Sequence, residues 1–232
     1  MTDAPILLVP GLNCTDAVFS PFLPTLWARG SVMIADHRRG ATIAEIAGAI
    51  LAEAPAHFAL LGFSMGGYIA LEILRQAPNR IGRLALLSTG AGSDTIEQRE
   101  NRQRQIDLAR AGKFSAIAGA NFANNVHPDH VNDAELRALH LQMALDTGPQ
   151  IYARQQAAIM ARSEAYDLLP SISCPTSIIV GDDDQVTPPS LSARMHGLIP
   201  MSELVLIKQA GHFALREQKT AFNQALLSWL AL

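Results

Sequence analysis

The stretch Phe58-Ala59-Leu60-Leu61-Gly62-Phe63-Ser64-Met65-Gly66-Gly67 decides the fold class of this chain. A short apolar run leads directly into a G-x-S-x-G pattern, and residues 68–76 then have helical periodicity. This order predicts a buried strand, a sharp turn and a helix, with Ser64 at the turn. The glycines let strand and helix approach closely, and the helix N-terminus favours developing negative charge near the hydroxyl. The stretch therefore predicts an exposed nucleophile; a glycine-rich turn with a helix-capping serine is the alternative.

Short apolar runs of the same kind recur along the chain, each followed by turn residues and a helical pattern. They are Ile6 to Val9, Ser31 to Ala35, Phe58 to Leu61, Leu84 to Leu87, Ser177 to Val180 and Glu203 to Ile207. The runs are nearly continuous rather than alternating, which is typical of parallel strands covered by helices on both faces. The chain is therefore predicted to form a doubly wound α/β sheet.

The interval between the fourth and fifth runs contains no convincing strand. Asp94 with Glu97 and Asn132 with Glu135 have capping-box spacing, and Gly148-Pro149 is a stop signal. We expect residues 91–170 to form a helical cap on a core made of residues 1–90 and 171–232. Candidates for an apolar substrate pocket in this cap are Phe122, Met143, Tyr152 and Met160. Because helical spacing does not distinguish inward from outward, each is equally compatible with the interior of the cap.

A serine hydroxyl needs a base to remove its proton, and the base needs an orienting carboxylate. His212 follows the last strand, in Gln209 to Phe213, and Asp184 follows the fifth, in Gly181 to Pro188. All three candidates lie at the carboxyl ends of predicted parallel strands, where ligands collect in open α/β sheets. The chain order is serine, aspartate, histidine.

In combination, these motifs resemble the α/β-hydrolase superfamily over essentially the whole chain. They are Pro10-Gly11-Leu12, Gly62 to Gly67, Gly181-x-x-Asp184-x-x-x-Pro188 and Gly211-His212. The resemblance implies that Ser64 is the nucleophile, that His212 is the general base and then acid, and that Asp184 orients it. It also implies an oxyanion hole formed by the backbone amides of Leu12 and Met65. In some relatives the acid follows the preceding strand, which would point to Asp94.

Two departures from the superfamily pattern sharpen the expected fold. Pro10 stands where many relatives have histidine, and the chain opens on its first strand without the common antiparallel hairpin. We therefore predict an α/β-hydrolase fold with a six-stranded, all-parallel sheet in the order 2-1-3-4-5-6. Helices should cover both faces of this sheet, and no antiparallel strand should lie at either edge.

Composition excludes several classes of function. The chain has 232 residues, 49% of them hydrophobic and 17% charged, and a net charge of −3, so no basic field is available for nucleic acid. No apolar stretch approaches the ~18 residues of a membrane span, so a cytoplasmic protein without a membrane partner is expected. Cys14 and Cys174 lack metal-site spacing, and His127 with His130 is more typical of a polar turn, so no metal and no cofactor are predicted.

These features predict a serine hydrolase that cleaves an ester or lactone of a small, mainly apolar carboxylic acid through an acyl-enzyme. A serine at this turn, rather than the aspartate of related dehalogenases, favours acyl transfer to and from Ser64. Two alternatives remain open. The same residues would suit hydrolysis or lyase cleavage of a carbon–carbon bond in a ring-cleavage diketone, and a low-activity ligand receptor would retain them as well. In each case the partner is a small molecule.

Overall fold

A computed structural model describes residues 4–232 and shows one six-stranded sheet. The strands are β1 (Ile6–Val9), β2 (Val32–Ile34), β3 (Phe58–Phe63), β4 (Ile81–Leu87), β5 (Thr176–Gly181) and β6 (Ser202–Ile207). Their order is β2-β1-β3-β4-β5-β6, and every neighbouring pair is parallel. The predicted strand order is confirmed, and no antiparallel strand borders the sheet within residues 4–232.

Ten helices surround this sheet in the described part of the chain. They are α1 (Leu23–Trp27), α2 (Ile43–Glu53), α3 (Met65–Gln76), α4 (Ile96–Leu108), α5 (Phe114–Asn125), α6 (Ala134–Thr147), α7 (Pro149–Met160), α8 (Pro189–His196), α9 (Ala214–Glu217) and α10 (Lys219–Ala231). Among residues 4–232, none of them has the length and apolar character that crossing a bilayer requires.

The inner strands β1, β3 and β5 are buried along their whole length, because successive strand residues point to opposite sides and helices cover both faces of the sheet. In β1, Ile6 and Leu8 pack with Phe222 and Trp229 of α10, whereas Leu7 and Val9 join the layer of α2, α3 and α8. This two-sided burial explains why the strands are continuous apolar runs in the sequence. Trp229 is buried in this core, whereas Trp27 is 62% exposed.

Helices α4 to α7 occupy the interval between β4 and β5. The N-cap of α4 is Thr95 rather than Asp94, in a capping box with Gln98, and the N-cap of α6 is Asp133 rather than Asn132. Each predicted helix start was therefore displaced by one residue, because a neighbouring side chain of the same capping class takes the position. The division into a core and a cap of residues 91–170 stays a prediction.

Candidate active site

Ser64 lies in a strained turn between β3 and α3. Its backbone has φ 53° and ψ −115°, a conformation that L-residues rarely adopt. The glycines of the motif permit this turn: a Cβ on Gly62 would lie 2.3 Å from the Gly66 carbonyl oxygen, and a Cβ on Gly66 would lie 2.1 Å from that of Val9. The Thr89 hydroxyl donates a hydrogen bond to the Ser64 carbonyl (2.9 Å) and helps to hold the turn.

Ser64, His212 and Asp184 form one hydrogen-bonded chain. Ser64 Oγ is 2.9 Å from His212 Nε2, and His212 Nδ1 is 2.9 Å from Asp184 Oδ2 and 3.1 Å from Oδ1. The folded chain thus brings together three side chains that are far apart in sequence. A proton on Nδ1, facing the carboxylate, leaves Nε2 free to accept the serine proton.

The Asp184 carboxylate is held as an anion in the interior. Its side chain accepts hydrogen bonds from the backbone N–H groups of Val186 (2.9 Å) and Thr187 (2.8 Å) and from the Thr187 hydroxyl (2.8 Å). Burial by itself raises the pKa of Asp184, but the charge and hydrogen bond of His212 and the Thr187 donors outweigh it, so the pKa lies below its ordinary value. An ionised carboxylate can orient the imidazole and stabilise its protonated form.

Asp94, the alternative acid, is not next to the histidine. Its carboxylate lies between two guanidinium groups: Arg102 Nε donates to Oδ2 and Arg162 Nη1 donates to Oδ1, both at 2.7 Å. Asp94 is therefore engaged elsewhere, and the structure favours Asp184 as the partner of His212.

The two predicted oxyanion donors belong to segments that flank Ser64. Met65 is the first residue of α3, and Leu12 follows β1; both line the same cavity as Ser64. Within residues 4–232, neither backbone N–H has a protein acceptor. The carbonyl of Gly11 shares a peptide plane with the Leu12 N–H, and it accepts hydrogen bonds from His37 Nε2 (2.9 Å) and the Cys14 N–H (3.2 Å). These bonds fix the plane and leave the Leu12 N–H on its opposite side.

A cavity of about 260 Å³ opens above Ser64 and His212. The side chains predicted to line it do not do so. Phe122 and Met143 pack in the interior cluster beside the sheet, Tyr152 packs with Phe114 and Ile117, and Met160 is half-buried away from the cavity wall. Phe122, Met143 and Tyr152 lie on the inward faces of their helices, and the apolar lining expected from the four residues is absent from the wall.

The wall contributed by helices α4 to α7 is instead rich in amides. Its polar residues are Gln98, Asn101, Arg102, Gln105, Asn121, Asn124, Asn125, His140 and Gln156. Hydrophobic periodicity gave no sign of this surface, because an amide on a helix is equally typical of a solvent-exposed face. The cavity volume lies just below the range of about 300–1,000 Å³ that is usual for ligand pockets.

Comparison with known proteins places this site in a family. A family model for the alpha/beta hydrolase fold matches residues 41–218, more than half of the chain, and this range includes Ser64, Asp184 and His212. The chain belongs to the α/β hydrolase fold family. The loop of Leu12 lies before the matched range.

Three relatives of this α/β hydrolase carry named activities. A pimeloyl-acyl-carrier-protein methyl ester esterase of Neisseria meningitidis serogroup B is 26% identical over 94% of the chain and 89% of its own length. A 2-hydroxy-6-oxononadienedioate/2-hydroxy-6-oxononatrienedioate hydrolase of a Pseudomonas species is 26% identical over 74% of the chain, but only 62% of its own length is covered. The solved structure of a thermophilic esterase from Thermogutta terrifontis is 29% identical, with a TM-score of 0.89 over 99% of this chain and 90% of that one. The family and the named activities of these relatives identify this protein as an enzyme of the hydrolase class.

Glu217, in the short helix after His212, supports the site although no motif marks it in the sequence. Its buried carboxylate accepts hydrogen bonds from the N–H of Gly211 (2.9 Å), the N–H of His127 (2.6 Å) and His130 Nδ1 (2.8 Å). One side chain thus joins the loop of the candidate base to the loop between α5 and α6. The His130 ring contacts this carboxylate, whereas His127 Nδ1 accepts a hydrogen bond from the Asp129 N–H (3.2 Å). Residues 4–232 contain no cluster of three or more metal-ligating side chains.

Proposed function

We propose that this α/β hydrolase cleaves an ester or lactone of a small carboxylic acid through an acyl-enzyme on Ser64. The observation that carries the proposal is the continuous hydrogen-bonded chain from Ser64 Oγ through His212 to Asp184. This arrangement is the one that acyl transfer by a serine requires: a nucleophile, a base within 2.9 Å and a buried carboxylate behind the base.

The proposed reaction has two halves. Ser64 Oγ attacks the ester carbonyl carbon as its proton passes to His212 Nε2, and the Leu12 and Met65 N–H groups donate to the resulting oxyanion. The tetrahedral intermediate then expels the alkoxide, which takes the proton from His212 and leaves as an alcohol. Water then attacks the acyl-enzyme as its proton passes to His212 Nε2, and His212 returns that proton to Ser64 Oγ as the carboxylic acid departs. For a lactone, the hydroxyl and the acid remain in one product.

The covalent step is tested by labelling and by substitution of the nucleophile. A fluorophosphonate should add one adduct to Ser64, located by peptide mass spectrometry. Ser64→Ala should lower kcat on short-chain methyl esters by a factor on the order of 10⁴ or more, because nucleophile and base act as a unit. Ser190→Ala, at an exposed serine of α8, is the matched control and should retain wild-type turnover. Full turnover by Ser64→Ala would refute the proposal, and wild-type protein without adduct or turnover would favour the ligand-receptor alternative.

The Pseudomonas relative favours a second candidate, the hydrolysis of a 2-hydroxy-6-oxo dienedioate by the same residues. The chemical steps differ in the bond that breaks, carbon–carbon rather than carbon–oxygen. Product analysis with parallel panels of methyl esters, lactones and vinylogous diketones separates the two. Turnover confined to the diketones would replace the ester proposal with this one.

A further inference from the structure

The formal charge of the cavity wall comes from a single side chain. Arg102 lines the cavity, and the described residues that share the wall include no aspartate, glutamate or lysine. The neutral amides and the apolar side chains add no compensating charge. A substrate in this cavity therefore faces one positively charged side chain and no negatively charged side chain on the described part of the wall.

The Asp94 carboxylate behind Arg102 is shared with a second arginine, so it does not neutralise both positive charges. Asp94 pairs with both Arg102 and Arg162, so the group of three has a net charge of +1. Arg162 is only 8% exposed and is fixed by stacking on the Tyr68 ring, 4.1 Å from its centroid, and by hydrogen bonds to two backbone carbonyls. Arg102 is 19% exposed and faces the cavity, so the excess charge is available there.

Among the described residues, the hydrogen-bond network around Arg102 leaves N–H groups of Arg102 and Gln105 without a protein acceptor. A guanidinium only donates, so Gln156 must direct Oε1 to Arg102 Nη1 (2.6 Å) and Nε2 to the Tyr152 hydroxyl (2.8 Å) and Gln105 Oε1 (3.0 Å). Gln105 Oε1 also accepts from the Tyr152 hydroxyl, so it is the Gln105 Nε2 group that remains available. Within residues 4–232, neither Gln105 Nε2 nor Arg102 Nη2 has a protein acceptor.

A positive charge with adjacent N–H donors on the wall of a small cavity is complementary to a carboxylate. We propose that Arg102, with Gln105, forms an anion subsite for a second carboxylate on the substrate. The preferred substrates are then half-esters of short dicarboxylic acids, with the ester carbonyl at Ser64 and the free carboxylate at Arg102. This inference rests on the proposed ester hydrolysis and replaces the mainly apolar acid that the sequence suggested.

The test compares matched substrates that differ only in the distal group. Monomethyl succinate, glutarate and adipate are each paired with methyl butanoate, pentanoate and hexanoate, in which a methyl replaces the carboxylate. In the wild type, the best half-ester should exceed its neutral partner in kcat/KM by about 10- to 100-fold, mainly through KM, as expected for a charge-assisted hydrogen bond. Glutarate, the product analogue, should inhibit competitively.

Substitution then assigns the preference to one residue. Arg102→Gln should bring the ratio of the two kcat/KM values close to one, and Arg102→Lys should retain part of it. Because a damaged fold lowers both rates together, the ratio reports recognition and not stability. Arg104→Gln removes an exposed arginine from the same helix and should leave the ratio at its wild-type value.

Failure of the anion subsite and failure of ester hydrolysis give different results in these assays. Equal rates on both substrate series in the wild type, or an unchanged ratio in Arg102→Gln, would overturn the anion subsite while ester hydrolysis stands. A wild-type enzyme that hydrolyses no ester of either series would overturn the proposed function itself.

Discussion

His37 couples the stability of the fold to pH through the loop that presents Leu12. The imidazole is buried, and its Nε2 donates to the Gly11 carbonyl, 2.9 Å away. A carbonyl only accepts, so Nε2 carries the proton of a neutral ring. The pKa of His37 is lowered from 6.5 to about 4, because the effect of burial exceeds the opposing effects of the hydrogen bond to Gly11 and the charge of Asp36.

Because folding lowers the pKa of His37, the folded protein loses stability as the pH falls. Between pH 6.5 and 4 the unfolded chain binds a proton at His37 that the folded chain does not, so stability falls as the pH falls through this window. At about 1.4 kcal/mol per pKa unit, a pKa lowered from 6.5 to about 4 is equivalent to about 3 kcal/mol. The stabilisation is complete above pH 6.5 and is lost progressively as the pH approaches 4.

The measurement is urea unfolding at several pH values between 7 and 4, for the wild type and His37→Gln. Glutamine places an N–H donor near the position of Nε2 and does not titrate, so it keeps the bond to Gly11 and removes the proton equilibrium. The wild type should lose about 3 kcal/mol more than the variant across this range. Every other titrating group is present in both proteins and cancels in the comparison. Parallel curves of stability against pH would refute this reasoning.

Three further substitutions test the architecture of the site. Asp184→Asn should lower kcat on esters about 10³- to 10⁴-fold, because an amide stabilises neither the productive histidine tautomer nor its protonated form. Glu217→Ala should lower the free energy of unfolding by about 2 kcal/mol or more in urea titration, because two partly buried backbone N–H groups lose their acceptor at about 1–3 kcal/mol each. Gly66→Ala should prevent folding to a soluble protein, because its Cβ overlaps the Val9 carbonyl oxygen, whereas Gly48→Ala, with its nearest contact at 3.6 Å, should fold normally by circular dichroism.

Each of these expectations has a clear contrary result. A kcat within tenfold of wild type for Asp184→Asn would remove the carboxylate from the proposed mechanism. Stability within 0.5 kcal/mol of wild type, the scale of a neutral surface substitution, would show that Glu217 does not anchor the two loops. A soluble Gly66→Ala protein with wild-type thermal stability would contradict the close approach of β1 and α3.

The relation between sequence and structure differs between the sheet and the cavity. The strand residues are apolar on both faces, so their runs were visible as continuous segments, and the predicted order of six parallel strands is confirmed. The Ser64 turn was readable for a related reason. Its conformation admits only glycine at Gly62 and Gly66, so the steric requirement leaves a local pattern in the sequence.

The substrate side of the cavity was not predictable in this way. Which faces of α4 to α7 meet the cavity depends on how these four helices pack on one another and on the sheet, and the helical period contains no information on that choice. Phe122 and Met143, which were candidates for the wall, therefore lie in the interior, whereas Arg102 of α4 lines the cavity.

The sequence by itself determined the apolar strand runs and the positions of three residues suited to acyl transfer, because those features depend on local sterics and on strand ends that parallel pairing aligns. The strand order came from the resemblance to the α/β-hydrolase superfamily. Only the tertiary structure decided the partners: Asp184 at His212, Asp94 between two arginines, and Glu217 beneath two loops. The same side chain, a carboxylate, serves in all three places. Its function depends on the donors that distant segments bring to it, and sequence spacing does not specify them.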